Sequence, residues 1–299
     1  MTQTSGNTFT RLPLSVQGAI WMTGSAVFFA AQAGIVRHLS ADLHFIEISF
    51  FRAVFGIVIM LPWLMQMGLV ILKTPHTKLY VWRGFLGTVA MYGWFGGLSL
   101  VPLADATAIS FTFPLFIALS AVVFLKESAH LTRWLAMFVG FAGTLIVIRP
   151  GFQDVNVGVF LVIGAGICIA ASAMILKVTL RTDTPDQAAL YQVIYMLPFA
   201  FIATLFVWKW PTWEQWFWGF MLGALSTTAQ RLYSRAFATG EVGSIAPFDF
   251  TRLPFVIAIG FVFFSELPDV WTVVGGTVIF CASIFAGRTE SLRHNRKPS

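Results

Sequence analysis

In the stretch "FDFTRLPF" (248–255), Asp249 and Arg252 stand three residues apart between Pro247 and Pro254, within an otherwise apolar run. Opposite charges at that spacing share one helix face. They can hold each other as a structural ion pair, close a gate, or receive the amino and carboxylate ends of a zwitterion. Arg52 and Arg231 also fall inside apolar runs without an obvious oppositely charged neighbour, and Glu47 lies near the end of one. A lone charge at the centre of a bilayer costs ~2.5–3.5 kcal/mol even on the lenient insertion scale, which makes each of these a candidate for function. Other chemistry is poorly served. All five histidines (His38, His44, His76, His130, His294) fall in loops or the tail, and Cys168 and Cys281 read as small core residues. A nucleophile–base pair or metal cluster at depth is not expected, so an intramembrane enzyme is the lesser reading and no metal or cofactor is implied.

Helical spacing adds neutral groups to these charges. Thr88, Tyr92, Phe95 and Ser99 form one face, with Trp94 turned elsewhere beside Met91 and Leu98; Ser110, Phe113, Pro114 and Ile117 align on the next segment. Tyr191, Gln192 and Tyr195 cluster further on, as do Thr227, Gln230, Arg231 and Ser234. The expected substrate contacts are Tyr92, Trp94, Ser110, Phe113, Tyr195, Gln230, Asp249 and Arg252, with Pro114 and Pro254 as hinges. A cavity so lined is apolar and aromatic with a few fixed polar groups, which suits amino acids with hydrophobic side chains. Each aromatic taken singly also reads as core or lipid-facing.

The elements that position these residues follow from composition. Apolar residues make up 57% of the 299, only 11% are charged, and the mean hydropathy is +0.79. Such a chain belongs in lipid, where about 20 apolar residues as helix cross the hydrocarbon. Ten such stretches are expected, at 16–36, 46–69, 78–98, 104–125, 134–148, 158–180, 188–207, 216–237, 243–264 and 270–287, in one membrane domain (1–299). The first 17 residues do not read as a cleavable signal peptide. "WKWPTWEQWFW" (208–218) reads as an interfacial aromatic belt.

The positive-inside rule orients the spans. With the N-terminus cytoplasmic, thirteen basic residues fall inside (Arg11, Lys73, Lys78, Arg83, Lys126, Arg133, Lys177, Arg181, Arg235, Arg288, Arg293, Arg296, Lys297) and three outside (Arg37, Arg149, Lys209). Both termini are therefore expected in the cytoplasm. The net charge of +6 reflects topology, since these residues sit on separate loops and form no stripe for nucleic acid.

The chain also repeats itself. At an offset of 140, Gly18, Gly24, Ala30 and Arg37 meet Gly158, Gly164, Ala170 and Lys177; at 136, "MLP" (60–62) meets "MLP" (196–198) and Gly87 meets Gly223; at 139, Phe124 and Glu127 meet Phe263 and Glu266. The reading is a duplication, 16–149 and 156–287, of five spans each. An odd number of spans inverts the second copy in the membrane, so Glu127 and Glu266 mark equivalent helix ends on opposite faces. The expected fold is an all-α membrane protein of ten transmembrane helices, two inverted five-helix repeats around a central cavity.

The segments "FFRAVFGIVIMLP", "WRGFLGTVAMYGWFGGLSLVPLADATAISFTFPLF", "FPLFIALSAVVFLKE" and "LPFVIAIGFVFFSE" resemble the drug/metabolite transporter superfamily of the EamA type, along essentially the whole chain. The resemblance implies a multi-pass inner-membrane protein that moves small metabolites, often outward, by alternating access. The organisation is similar to aromatic amino-acid exporters of the YddG type. That group places Tyr and Trp just before the fourth-span proline, where this chain has Phe111 and Phe113. Broad export of neutral amino acids is the expectation, with riboflavin, S-adenosylmethionine or drugs as alternatives. The implied partners are the lipid bilayer and a small molecule.

Overall fold

The computed structural model describes residues 14–68, 71, 73–110, 112–125, 156–239, 245–266 and 269–294, with scattered positions from 135 to 146. Among these there are helices and no strand. The helices are α1 (Leu14–Leu39), α2 (Phe45–Met67), α3 (Thr77–Leu100), α4 (Leu103–Ser110) and α5 (Phe113–Leu125). They continue with α6 (Val157–Thr179), α7 (Pro185–Thr204) and α8 (Trp213–Thr239). A 3-10 turn (Ala246–Thr251) then leads into α9 (Arg252–Phe264), and α10 (Val270–His294) follows. Much of the expected fifth span (134–148), together with Glu127 and Phe111, lies outside the described residues.

Several starts are written locally. Asn156 caps α6, its side chain accepting from Gly158 N at 2.9 Å while its amide donates to Leu100 O at the end of α3. Thr184 and Gln187 form a reciprocal capping box at the head of α7, with Pro185 in the first turn where its missing N–H costs nothing. Among the described residues, four helices are long and apolar enough to cross a membrane: Val16–Leu39, Phe45–Met67, Val157–Thr179 and Pro185–Thr204.

The fourth and ninth segments, each read from sequence as one span with a proline hinge, are divided into two elements. α4 ends at Ser110 and α5 restarts at Phe113. In the ninth segment the 3-10 turn intervenes, and α9 starts at Arg252. Pro114 and Pro254 therefore sit in the first turn of a new helix, where the lost donor had no intrahelical acceptor. The prolines inside continuous helices are Pro62 in α2 and Pro198 in α7.

Helix packing pairs the two parts of the chain. α1 runs along α8 and α3 along α6; α2 meets α8 as α3 meets α7; α9 lies on α1 as α5 lies on α6. Glycines set the closest approaches. A Cβ on Gly97 would lie 2.4 Å from Val162, and one on Gly93 would lie 2.6 Å from Leu161 O, so the backbones of α3 and α6 nearly touch. Gly223 of α8 meets Phe55 of α2 at 2.4 Å in the same sense. The polar ties match as well. Arg37 at the end of α1 donates to Leu98 O of α3 (2.8 Å), and Lys177 at the end of α6 donates to Phe237 O of α8 (3.1 Å). Arg37 also pairs with Glu266 at 2.7 Å, whose other oxygen accepts from Leu103 N.

Candidate functional site

Where α1, α2, α3, α5, α6, α7 and α8 converge on the start of α9, they leave a cavity of ≈ 150 Å³. Its wall is mostly aromatic and aliphatic. Trp94 of α3 meets Phe113 of α5 edge-on at 5.8 Å, and Tyr233 of α8 packs on Phe237 at 4.5 Å and edge-on to Phe29 of α1 at 6.3 Å. The polar groups are few: Gln32, Ser172, Gln192, Gln230, Asp249 and three arginines, Arg52, Arg83 and Arg252.

Asp249 and Arg252 face the cavity from the junction between the 3-10 turn and α9. The change of helix type holds both side chains on one side, and Arg252 Nη2 donates to Asp249 Oδ2 at 2.5 Å. The guanidinium also lies 5.9 Å from the centre of the Phe29 ring. Asp249 Oδ1 and Arg252 Nε have no hydrogen-bond partner among the described residues although both are buried. The pair thus keeps one acceptor and one donor unused at the cavity edge.

Of the residues expected from sequence to meet a substrate, Trp94, Phe113, Gln230, Asp249 and Arg252 line this cavity, together with the hinge residue Pro114. Tyr92, Ser110 and Tyr195 do not. Tyr92 donates to Phe199 O of α7 at 3.4 Å and packs on Phe45. Ser110 is fully buried and returns its hydroxyl to Thr107 O. Tyr195 stacks on Tyr191, and its backbone lies against Gly84. Pro254 is exposed on the first turn of α9.

The face of α3 is a correction. Sequence spacing favoured Thr88, Tyr92, Phe95 and Ser99, of which Phe95 lines the cavity. The cavity instead takes Arg83, Gly87, Ala90, Met91, Trp94 and Phe95. Thr88 and Ser99 spend their hydroxyls on carbonyls of their own helix, at Gly84 and Gly96. Arg83 was counted among the inner loop charges, yet it is 1% exposed. The signal for it was present: 83, 87, 90, 91 and 94 follow one helical stripe. Arg231 likewise does not lack a partner, because Asp186 at the head of α7 accepts from it at 2.7 Å and from Arg235 at 3.0 Å. Glu47 is buried in the first turn of α2, one oxygen accepting from Lys209 N.

A helical chain with an amphiphilic cavity at its centre fits a carrier, and family comparison decides which. The model of the EamA-like transporter family matches residues 16–149 and again 156–288. The chain belongs to the EamA-like transporter family. It is accordingly a multi-pass membrane transporter of small molecules. This EamA-like transporter is 29% identical, over 94% of its length and 96% of the relative's, to an S-adenosylmethionine uptake transporter of Rickettsia bellii. It is 28% identical, over 95% of each chain, to a riboflavin transporter of Rhizobium johnstonii. A pseudopaline exporter of Pseudomonas aeruginosa is 27% identical over 93% of this chain and 99% of that one. A solved structure with 14% identity superposes with a TM-score of 0.66, covering 95% of this chain and 98% of that one, and so shares its fold.

Proposed function

We propose that this transporter carries small metabolites that join an apolar or aromatic body to a charged end, neutral amino acids among them, and exports them by alternating access. The observation that carries the reading is the Asp249–Arg252 pair at the edge of an aromatic cavity. A zwitterion brings one charge for each unused atom, and the rings of Trp94, Phe95 and Phe113 offer area without demanding a particular side chain. A single methylene in such a pocket discriminates by only ~1–3 kcal/mol, so the specificity is broad. The relatives named for S-adenosylmethionine favour a second substrate of the same form, an amino-acid end on an aromatic base.

The mechanism in this reading is the exchange of roles between two inverted five-helix repeats, 16–149 and 156–287, in a single inner-membrane domain with both termini cytoplasmic. The matched helix pairings, the equivalent ties of Arg37 and Lys177, and the twofold family match support it. Cysteines placed singly at 127 and 266 should then label from opposite sides of the membrane. Labelling of both from one side refutes the inversion.

Uptake into proteoliposomes tests the substrate. Labelled phenylalanine, methionine and threonine should each exchange against unlabelled substrate, alongside S-adenosylmethionine and riboflavin as comparisons. Movement of riboflavin with no amino acid moved would replace this reading.

A further inference from the structure

Arg52 is poorly provided for. α2 carries it into the cavity wall at 6% exposure, where its Nη1 donates only to thioethers, Met91 Sδ and Met196 Sδ (3.8 Å). A thioether is a weak, neutral acceptor, and Arg52 Nε has no hydrogen-bond partner among the described residues. Arg83, whose Cα lies ~12 Å along α3 from that of Met91 by helical rise, makes one bond, to Ala188 O at 2.6 Å, and its Nε is also unpartnered. Among the described residues neither arginine has a carboxylate within salt-bridge distance, and Asp249 is already taken by Arg252.

The unpartnered atoms gather in one place. Gln32 Oε1, Arg52 Nε, Arg83 Nε, Gln192 Oε1, Asp249 Oδ1 and Arg252 Nε are buried without a hydrogen bond, and all six residues line the cavity. Folded proteins leave few buried polar groups unpaired, so such a convergence points to a ligand. Its sign follows from the walls: three guanidinium groups face one carboxylate. The missing partner carries a negative group for the guanidinium donors, and any donor of its own can meet Gln32 Oε1, Gln192 Oε1 or Asp249 Oδ1. Gln192 stands beside Arg52, since its Nε2 donates to the same Met196 sulfur at 3.1 Å.

We propose that Arg52, with Arg83 further along the wall, binds the carboxylate of an organic acid whose apolar body lies against Trp94, Phe95 and Phe113. The proposal rests on the cavity being the substrate site and deepens that reading by moving the carboxylate to Arg52 and leaving Asp249 Oδ1 for the amino end: the carboxylate is the obligatory feature, and the side chain is free to vary. Amino acids and S-adenosylmethionine carry that group. Riboflavin does not.

The test uses the detergent-purified full chain and three probes of one shape: phenylacetate, 2-phenylethanol and phenethylamine. A ligand that binds the folded state raises its melting temperature. Phenylacetate should raise Tm; the alcohol and the amine should not. Arg52→Gln removes an uncompensated buried charge, so without ligand it should melt at or above the wild type. Its affinity for phenylacetate should fall ~10-fold or more, through loss of a charge-assisted bond. The site is wrong if the alcohol stabilises as well as the acid, if the acid gives no shift, or if Arg52→Gln melts far lower yet keeps its affinity for the acid. The comparison of acid with alcohol needs only wild-type protein, so it decides the matter even if the variant does not fold. Transport separates the two proposals: amino-acid uptake that phenylacetate never inhibits would sink this site and keep the proposed function, whereas acid binding without any uptake would do the reverse.

Discussion

At the break between α4 and α5 the side chains are Ser110, Thr112 and Phe113; at the break that opens α9, 139 positions later, they are Asp249, Thr251 and Arg252. The threonines behave alike. Thr112 returns its hydroxyl to Ile109 O at 2.8 Å and Thr251 to Phe248 O at 2.7 Å, each closing the turn that ends one helix before the next begins. The flanking positions do not. Ser110 spends its hydroxyl on Thr107 O and Phe113 offers a ring, while Asp249 and Arg252 form an ion pair that keeps unused atoms. The comparison separates two jobs. Interrupting a helix uses the same backbone device at both breaks, whereas a charge pair with unused atoms furnishes one of them only.

The sharpest way to break the comparison is to strip the charged side alone. Asp249→Ala leaves Arg252 buried without its carboxylate and should cost about 3–5 kcal/mol in denaturant melts, with flux lost. Ser110→Ala should cost about 1 kcal/mol or less, since a neutral hydroxyl bonded within its own helix is removed. Transplanting the first break into the second, Asp249→Ser with Arg252→Phe, should recover most of the stability while flux stays absent. An apolar replacement of a buried pair is often neutral, and function is then what distinguishes the two breaks.

The glycine seams should respond equally in both parts of the chain. Gly97→Leu drives a side chain into Val162 of α6, and Gly223→Leu drives one into Phe55 of α2. Each should lower stability by about 1–3 kcal/mol. Gly164→Ala, which meets nothing within 4 Å, serves as the control and should stay within about 0.5 kcal/mol of wild type. A large cost at one seam and none at the other would mean that the packing is not shared. The smallest effect is expected at the Arg37–Glu266 tie, whose side chains are 26% and 19% exposed. Glu266→Gln should cost about 1 kcal/mol or less, and less still in high salt, by thermal melts at two ionic strengths.

Element positions were legible because lipid imposes one rule on every span: α2, α3 and α6 begin within a residue of the apolar runs at 46, 78 and 158. The pair at 249 and 252 was legible because charge in such a run is costly. Rotation about the helix axis was not. Thr88 and Tyr92 attract attention as polar groups, yet a hydroxyl in a helix can satisfy itself on the preceding turn, so its type says little about what it faces. The breaks themselves were half visible. Pro114 and Pro254 marked the places, but proline is tolerated both inside a membrane helix and at the head of a new one, and Pro62 and Pro198 take the first option in this same chain.

Arg37 and Glu266 are 229 residues apart in the chain, and that separation is also an interval of time. At about 5–20 residues per second a ribosome reaches Glu266 roughly 10–45 s after Arg37. Ser25, which donates to Ala229 O across 204 residues, waits nearly as long. The first helix therefore enters the bilayer well before its acceptors exist, and it must be held in the meantime by the insertion machinery, by lipid headgroups or by provisional neighbours. Closure of this tie belongs to the last steps of assembly, when nine-tenths of the chain has already been made.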